Sequence, residues 1–349
     1  MIASMNTTDR VLVYGAAGHT GRFVVDELLR RGLTPVLAGR SAERLDAVPD
    51  GGALDRRAVG LDDPELLRRA IDGAGAVINC AGPFLDTAVP LARAAVAAGA
   101  HYLDVTAEQP AVQALYGELD GPARAAGVVV VPAMAFYGGL ADLLLSAALD
   151  GDTQADAVEV AIGLDRWWPT AGTRLTGARN TTRRLVVRDG ELVPLDDPAP
   201  TRAWDFPAPL GSQTAVELPF SEVIAIHRHL HVRELRSYLN TAPLDDLHDE
   251  ATPPPSATDE DGRSAQQFVV DVVASRGSDA RRISAAGRDI YAVTAPIVIE
   301  GAIRLLEGRH HGVGASAPGQ AFHAVDVLAA LQRDVGGFEV RRDAHSFSS

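Results

Sequence analysis

Three glycines mark where this chain can do chemistry. In Val13-Tyr14-Gly15-Ala16-Ala17-Gly18-His19-Thr20-Gly21 they stand between an apolar run at residues 11–14 and a helix-like pattern carrying Phe23, Val24, Leu28 and Leu29. Glycine lets a backbone turn sharply and approach a phosphate, while the free N–H groups and positive end of the next helix hold the anion. Ala17, His19 and Thr20 lie in the same turn and share that role. The spacing is G-x-x-G-x-x-G rather than G-x-G-x-x-G, so the strand, turn and helix around it carry the assignment. A second apolar run, residues 35–38, ends in Gly39-Arg40-Ser41. A site for NAD places an acid there for the ribose 2′-hydroxyl, whereas a guanidinium grips a 2′-phosphate. Ser41 adds a hydroxyl and Arg44 a second guanidinium. The expected cofactor is NADP(H).

Proton chemistry has fewer candidates. Tyr137, in Ala135-Phe136-Tyr137-Gly138-Gly139, follows a strand at the same edge of the sheet. It reads as an aromatic pocket wall first and as a proton donor second, since a phenol of ordinary pKa near ~10 needs help to ionise. His227, His229 and His231 alternate; on a strand all three share a face, and on a helix 227 and 231 pair. His229 is kept as a candidate general acid. No carboxylate or further histidine completes a familiar metal pattern, so no metal is expected. Arg174, Arg183 and Arg184 fit a substrate carboxylate or a carrier phosphate, or serve as solvated strand ends. Trp167 and Trp168 suggest an apolar lip of the pocket, or core packing. Cys80 has no basic partner in view and reads as a small packing residue.

Composition narrows the field further. The chain has 349 residues, 46% hydrophobic and 22% charged, enough for two globular domains with cores of their own. A net charge of −14 argues against a nucleic-acid partner. One cysteine excludes an intrachain disulfide. All 32 basic residues are arginine. Without lysine, Schiff-base chemistry, a P-loop NTPase, a protein kinase and the Tyr-x-x-x-Lys pair of short-chain dehydrogenases are all excluded. The N-terminus carries no basic stretch joined to an apolar one, and no apolar run reaches membrane-spanning length, so the expected location is the cytoplasm, with no membrane partner.

These residues need a frame. Up to residue 150, short apolar runs alternate with helical patterns, the sequence of a doubly wound parallel sheet. Strands are expected at 11–14, 35–38, 58–60, 76–81, 101–105 and 128–131, with helices at about 87–98 and at 141–149. Asp63-Pro64-Glu65 opens another helix with an N-cap, a first-turn proline and a first-turn acid. Beyond 150 the texture changes. Strand-like segments fall at 157–164, 184–187, 214–218, 223–226 and 268–273, a polar loop at 243–264, and helices at 295–306 and 324–331. The expected architecture is α/β: an N-terminal Rossmann domain, residues 1–150, and a smaller α+β domain, residues 151–349, on a mixed or antiparallel sheet. The C-terminal helices are free to pack back on the first domain.

The glycine turn, Ala38-Gly39-Arg40, Asn79-Cys80-Ala81-Gly82-Pro83-Phe84 and His101-Tyr102-Leu103-Asp104-Val105-Thr106-Ala107-Glu108, in that order, resemble the saccharopine dehydrogenase-like reductases, including the trans-acting enoyl reductases. The resemblance covers about the first 150 residues. It implies an NADP-binding domain with an α/β domain covering the nicotinamide and substrate. Carried over by position, Asp62 faces the adenine, unless Asp62 and Asp63 are both cap candidates for the next helix. Asn79, Ala81, Gly82 and Pro83 line the crossing of the cofactor, with Thr106 beside the nicotinamide. Phe84, Glu108, Trp168 and Arg174 face substrate, although Glu108 serves equally as a helix-cap acid.

The expected function is an NADPH-dependent reductase of an imine or enoyl group in a small molecule, free or carried on a carrier. A non-catalytic NADP sensor, or an epimerase or isomerase that retains its NADP, are the alternatives. A homodimer is expected.

Overall fold

The computed structural model describes residues 10–49 and 52–343. The N-terminal stretch read for targeting signals, residues 1–9, lies outside the described residues.

The apolar runs of the first half become short strands: β1 (Arg10–Tyr14), β2 (Thr34–Gly39), β3 (Asp55–Ala58), β4 (Ala76–Asn79), β5 (His101–Asp104) and β6 (Val129–Val131). Helices connect them: α1 (His19–Arg30), α2 (Ala42–Asp46), α3 (Pro64–Ile71), α4 (Phe84–Ala97) and α5 (Gln109–Ala126). The strands are parallel in the order β3-β2-β1-β4-β5-β6. The crossovers therefore run outward in both directions from β1, and a crevice opens where the carboxyl ends of β1 and β4 part. Both faces are covered, which is why Leu12, Val13, Val36, Leu37, Val77 and Ile78 are buried without alternation.

After a distorted turn at Phe136–Leu140, α6 (Ala141–Leu149) leads to the second sheet. Its elements are β7 (Gln154–Leu164), α7 (Ala171–Arg179), β8 (Leu185–Arg188), β9 (Glu191–Pro194), β10 (Thr201–Phe206), β11 (Gly211–Glu217), α8 (Ser221–His229), β12 (His231–Asn240), α9 (Ala242–His248), β13 (Gln267–Arg276) and β14 (Asp279–Arg288). The chain closes with α10 (Thr294–Leu306), β15 (Gly314–Ala315), α11 (Pro318–Ala321), α12 (Ala324–Asp334) and β16 (Glu339–Arg342). The sheet order is β10-β11-β12-β7-β13-β14-β16, with the β8–β9 hairpin laid on β12. β7 and β12 run parallel and the remaining pairs antiparallel, a mixed sheet.

The two sheets share one core. Apolar packing runs from Val13 and Ile78 through Leu143 and Leu144 of α6 to Val160 and Val270. The last elements return to the first sheet: α10 packs on α1, and β15 adds a parallel strand beside β6. Arg31 at the end of α1 clamps them, with its guanidinium 2.9 Å from Asp334 and 3.6 Å from Glu300.

Several elements differ from the sequence reading. Residues 223–226 belong to α8, not to a strand; a four-residue apolar run buried between two sheets has no period to reveal its type. The third strand lies at Asp55–Ala58, ahead of 58–60, because the chain turns away after Val59 bonds the Gly39 carbonyl. α4 begins at Phe84 rather than 87, since a distant acid caps its first N–H groups. The 243–264 segment starts inside α9 before it becomes loop.

Candidate cofactor and active site

At the end of β1, Gly15 turns with φ +85°, and its N–H donates to the Ala38 carbonyl at 2.8 Å. Gly18 N–H returns to the Gly15 carbonyl at 2.9 Å. A Cβ on Gly21 would stand 2.2 Å from that same carbonyl oxygen, so α1 presses on the turn with no room for a side chain. Gly18 occupies the N-cap of α1 and no side chain caps the helix. The first-turn N–H groups remain open to an anion.

Arg40 is exposed and makes no hydrogen bond or ion pair among the described residues. It lies with Asp62 around the Tyr14 hydroxyl, which donates to the Val59 carbonyl at 3.1 Å. Burial pushes the Tyr14 pKa up, Arg40 opposes that shift and Asp62 adds to it. Asp63 caps α3, accepting from the N–H groups of Glu65 and Leu66, which separates the two neighbouring acids and leaves Asp62 uncommitted. Ser41 caps α2 by accepting from Arg44 N–H at 3.2 Å; the Arg44 side chain is exposed. An open helix terminus beside an unpaired guanidinium fits a pyrophosphate with an added 2′-phosphate. The turn alone fits any dinucleotide, and Arg40 supplies the discrimination.

Across the crevice, buried Asn79 shapes the loop after β4. Its Oδ1 accepts from Ala81 N–H at 3.0 Å, and its Nδ2 donates to Thr87 Oγ1 and the Tyr102 hydroxyl. The loop passes through a cis Gly82–Pro83 bond and comes so close to the glycine turn that a Cβ on Gly15 would lie 3.0 Å from Ala81 N. The Glu108 carboxylate accepts from Phe84 and Leu85 N–H at 2.8 and 3.1 Å. It is therefore a cap acid for α4, not a group facing substrate. Thr106 is wholly buried, its hydroxyl accepting from Glu108 N–H and its carbonyl from Ser221 Oγ, so its side chain supports the cleft and does not line it. Beneath them Asp104 accepts from Thr106 N–H, Ala133 N–H and the Tyr102 hydroxyl. Burial pushes its pKa up to about 6. Cys80 is partly buried, and its surroundings push the thiol pKa up, away from the reactive range.

The second sheet supplies an aromatic side. The Tyr137 ring lies 4.4 Å from Phe220 and 5.9 Å from Trp167, and its buried hydroxyl has no partner. Trp167 Nε1 donates to the Tyr291 hydroxyl at 3.1 Å, which also accepts from Thr170 N–H and meets Thr173 Oγ1 at 2.9 Å. His19 sets its ring edge against Tyr291 and Phe23, and burial pushes its pKa down. α7 lies over the cis loop, since a Cβ on Gly82 would meet Thr176 Oγ1 at 2.7 Å. Arg184 bonds the Pro219 carbonyl and stacks over Phe220 at 4.7 Å. Gln109 bonds both Leu185 and the Phe220 carbonyl, tying this wall to the first sheet.

Other candidates take structural work. His229 bonds buried Asp142 at 2.7 Å from the far end of α8, roughly 12 Å along the helix from Ser221, so it is withdrawn as the general acid. His231 opens β12, which splits the three histidines between two elements. Arg174 spends its guanidinium on the carbonyls of Leu247, Asp249 and Thr252 and is not available to substrate. Trp168 stacks under Arg166; the tryptophan that reaches Tyr137 is Trp167. Glu222 and Tyr291 were not among the sequence candidates. Ser221-Glu222 after Pro219-Phe220 is a helix-start signal that would have placed Glu222.

A parallel sheet with its crevice at β1 and β4, an open phosphate turn and a free arginine define a dinucleotide-binding protein. Residues 11–131 match the family model described as the saccharopine dehydrogenase NADP binding domain. The bovine saccharopine dehydrogenase-like oxidoreductase is 27% identical over 41% of this chain and 38% of its own length. A trans-acting enoyl reductase of Mycobacterium bovis is 31% identical over 28% of this chain and 25% of its own. The matched region thus spans well under half of these relatives. Saccharopine dehydrogenase (L-Glu forming) of Saccharomyces cerevisiae, at 13% identity, superposes with a TM-score of 0.67 over 96% of this chain and all of that one. The shared fold therefore extends through both sheets.

Proposed function

We propose that this protein is an NADPH-dependent reductase acting on an imine or enoyl bond of a small molecule, free or presented on a carrier. When bound, NADPH supplies the hydride. The glycine turn and the first turn of α1 hold its pyrophosphate, while Arg40, Ser41 and Arg44 take the 2′-phosphate and Asp62 the adenine. The Asn79–Pro83 loop meets the nicotinamide half. Substrate enters the aromatic recess of Phe84, Tyr137, Trp167 and Phe220 under α7, with the Tyr137 hydroxyl as proton donor. Ketone reduction asks for a firmly placed ionisable acid, and the polar group in this recess is an enclosed phenol, which favours the imine or enoyl bond.

The observation that carries this reading is the unpaired Arg40 guanidinium beside an uncapped helix terminus. Titration of the whole protein with NADPH and NADH tests it. NADPH should bind tighter by about 1–3 kcal/mol, and Arg40→Ala should erase the difference while leaving NADH unchanged. Binding of neither cofactor, or discrimination that survives the substitution, would overturn it.

A further inference from the structure

Beneath the cleft, the carboxyl ends of β4, β5 and β6 are tied to one buried carboxylate. Asp104, the last residue of β5, is wholly buried, as are Tyr102 and Asn79. Its Oδ1 accepts from Thr106 N–H at 3.1 Å, at the end of its own strand, and from Ala133 N–H at 2.8 Å, just past β6. Its Oδ2 accepts from the Tyr102 hydroxyl at 3.0 Å. That hydroxyl accepts from Asn79 Nδ2 at 3.2 Å, and Asn79 Oδ1 accepts from Ala81 N–H at 3.0 Å. Thr87 closes the link, accepting from Asn79 Nδ2 and donating to the Ala81 carbonyl. Both backbone polar groups of Ala81 are thus fixed by side chains whose hydrogen bonds lead back to Asp104.

Ala133 carries the other branch. It stands in the left-handed region at φ +55°, which a side chain rarely adopts, and its carbonyl accepts from Ala135 and Gly139 N–H, both at 2.8 Å. Those two bonds bracket Tyr137. The Asp104 carboxylate is therefore the common anchor of the Ala81–Pro83 loop and of the turn that bears Tyr137. Well-packed apolar side chains would fill this interior with no charge to desolvate, so stability alone gives no reason for a carboxylate here. What the polar chain adds is direction, since each hydrogen bond fixes an angle as well as a distance.

We propose that Asp104 is a positioning residue for the nicotinamide half of the cofactor, acting through Tyr102 and Asn79 on the Ala81–Pro83 loop. The inference rests on the reductase reading, in which that loop meets the nicotinamide half while Arg40, on the other side of β1, takes the adenine half. Shared anchorage keeps the loop and the Tyr137 turn in one register. The side that holds the hydride donor and the recess that receives substrate are then aligned before either ligand arrives.

Calorimetric titration of the whole protein with NADPH and with adenosine 2′,5′-bisphosphate, the adenine half of that cofactor, tests the proposal at about pH 8, where the carboxyl is ionised. Tyr102→Phe removes the donor, and Asp104→Asn the acceptor, of one and the same hydrogen bond. Each should weaken NADPH binding about tenfold and leave the bisphosphate within about twofold of the wild type. The double variant should bind NADPH no more weakly than the single ones, because both substitutions cut the same link. Should Asp104→Asn not fold, Tyr102→Phe decides alone. NADPH binding that is unchanged in Tyr102→Phe overturns the proposal. So does an equal loss for both ligands, which marks general loosening, or a double variant whose losses multiply. Any of these results in a protein whose wild type binds both ligands removes the positioning role and leaves the cofactor reading, whereas a wild type that binds neither ligand removes both.

Discussion

The two sides of the cleft are built from opposite materials. On the first-sheet side the work is done by backbone: the Gly15–Gly21 turn, the uncapped end of α1, and a loop whose side chains are spent on one another. Asn79, Thr87, Tyr102, Asp104, Thr106 and Glu108 all have their polar atoms engaged, most of them to N–H groups of the loops they shape. On the second-sheet side the polar atoms belong to side chains, and the Tyr137 hydroxyl, Glu222 Oε2 and the Ser237 hydroxyl have no hydrogen-bond partner. The first arrangement suits a ligand whose shape never varies, because its donors are set before the ligand arrives. The second keeps unspent hydrogen-bonding capacity in an apolar recess, where an incoming group or a transferred proton can use it. Rigidity and reserve are thus divided between the two halves.

The largest expected effect tests the rigid half. In Gly21→Ala the new methyl collides with backbone, 2.2 Å from the Gly15 oxygen and 2.9 Å from its carbonyl carbon. Unfolding in urea should show a loss of about 3 kcal/mol, with NADPH binding abolished. Gly163→Ala in β7 is the matched control. Its methyl would meet Leu210 Cδ1 at 2.5 Å and the Phe206 ring at 2.9 Å, which are side chains able to move. That variant should lose about 1 kcal/mol and bind NADPH normally. Equal costs at the two glycines would erase the contrast.

A smaller effect separates satisfied burial from free burial. Asp104 accepts three hydrogen bonds yet its pKa is pushed up to about 6 against an ordinary 3.8, because burial outweighs them. The folded state therefore holds this proton more tightly than the unfolded chain. The associated stability is full below about pH 4 and is lost as pH rises through about 6, a change of roughly 2–3 kcal/mol. Denaturation of wild type and Asp104→Asn across that range should give curves that cross, the variant being about 1 kcal/mol less stable toward acid and about 1–2 kcal/mol more stable toward neutrality. The asparagine keeps the Oδ1 contacts to Thr106 and Ala133 but loses the acceptor for Tyr102, a cost of about 1 kcal/mol at every pH. A constant offset with no pH dependence would show that three hydrogen bonds do offset burial here, and would bring the two halves closer in character.

The same division decides what was legible in the sequence. The glycine turn, Arg40 and the Asp63 cap are local devices, in which neighbouring residues serve one another, and their spacing could be read directly. The fourth and fifth strands were found as apolar runs because a parallel sheet buries both faces. The cleft's other half is made by long-range partners. Glu108 read equally as a group near substrate and as a helix-cap acid, and only the distant start of α4 decided for the cap. Arg174 looked free until the carbonyls of 247, 249 and 252 surrounded it. The alternating histidines suggested one face, but the element boundary at Leu230 falls between them. Glu222 was hidden by its own neighbours, since residues 223–226 read as strand and a strand would not have turned its carboxylate back onto Phe220 N–H.

The smallest effect concerns α7, the one piece of the cleft with no buried residue. Its two ends are held differently. At the start, Thr170 and Thr173 bond the Tyr291 hydroxyl, and Thr170 caps the helix by accepting from Thr173 N–H. At the end, Arg179 meets Asp86 of α4 at 3.0 Å, with both side chains about half exposed. An exposed pair contributes little, so Arg179→Ala should leave global stability within about 0.5 kcal/mol. Amide exchange should nevertheless separate the ends. Across the last turn of α7 it should quicken about threefold, while the first turn stays as in the wild type, because its tether belongs to the aromatic wall. NADPH should slow exchange at both ends if α7 closes on the cofactor through Gly82 and Thr176. Uniform quickening would mean that α7 moves as one body hinged outside its own sequence, and the reserve in the second half would then include the position of the helix as well as its unspent hydroxyls.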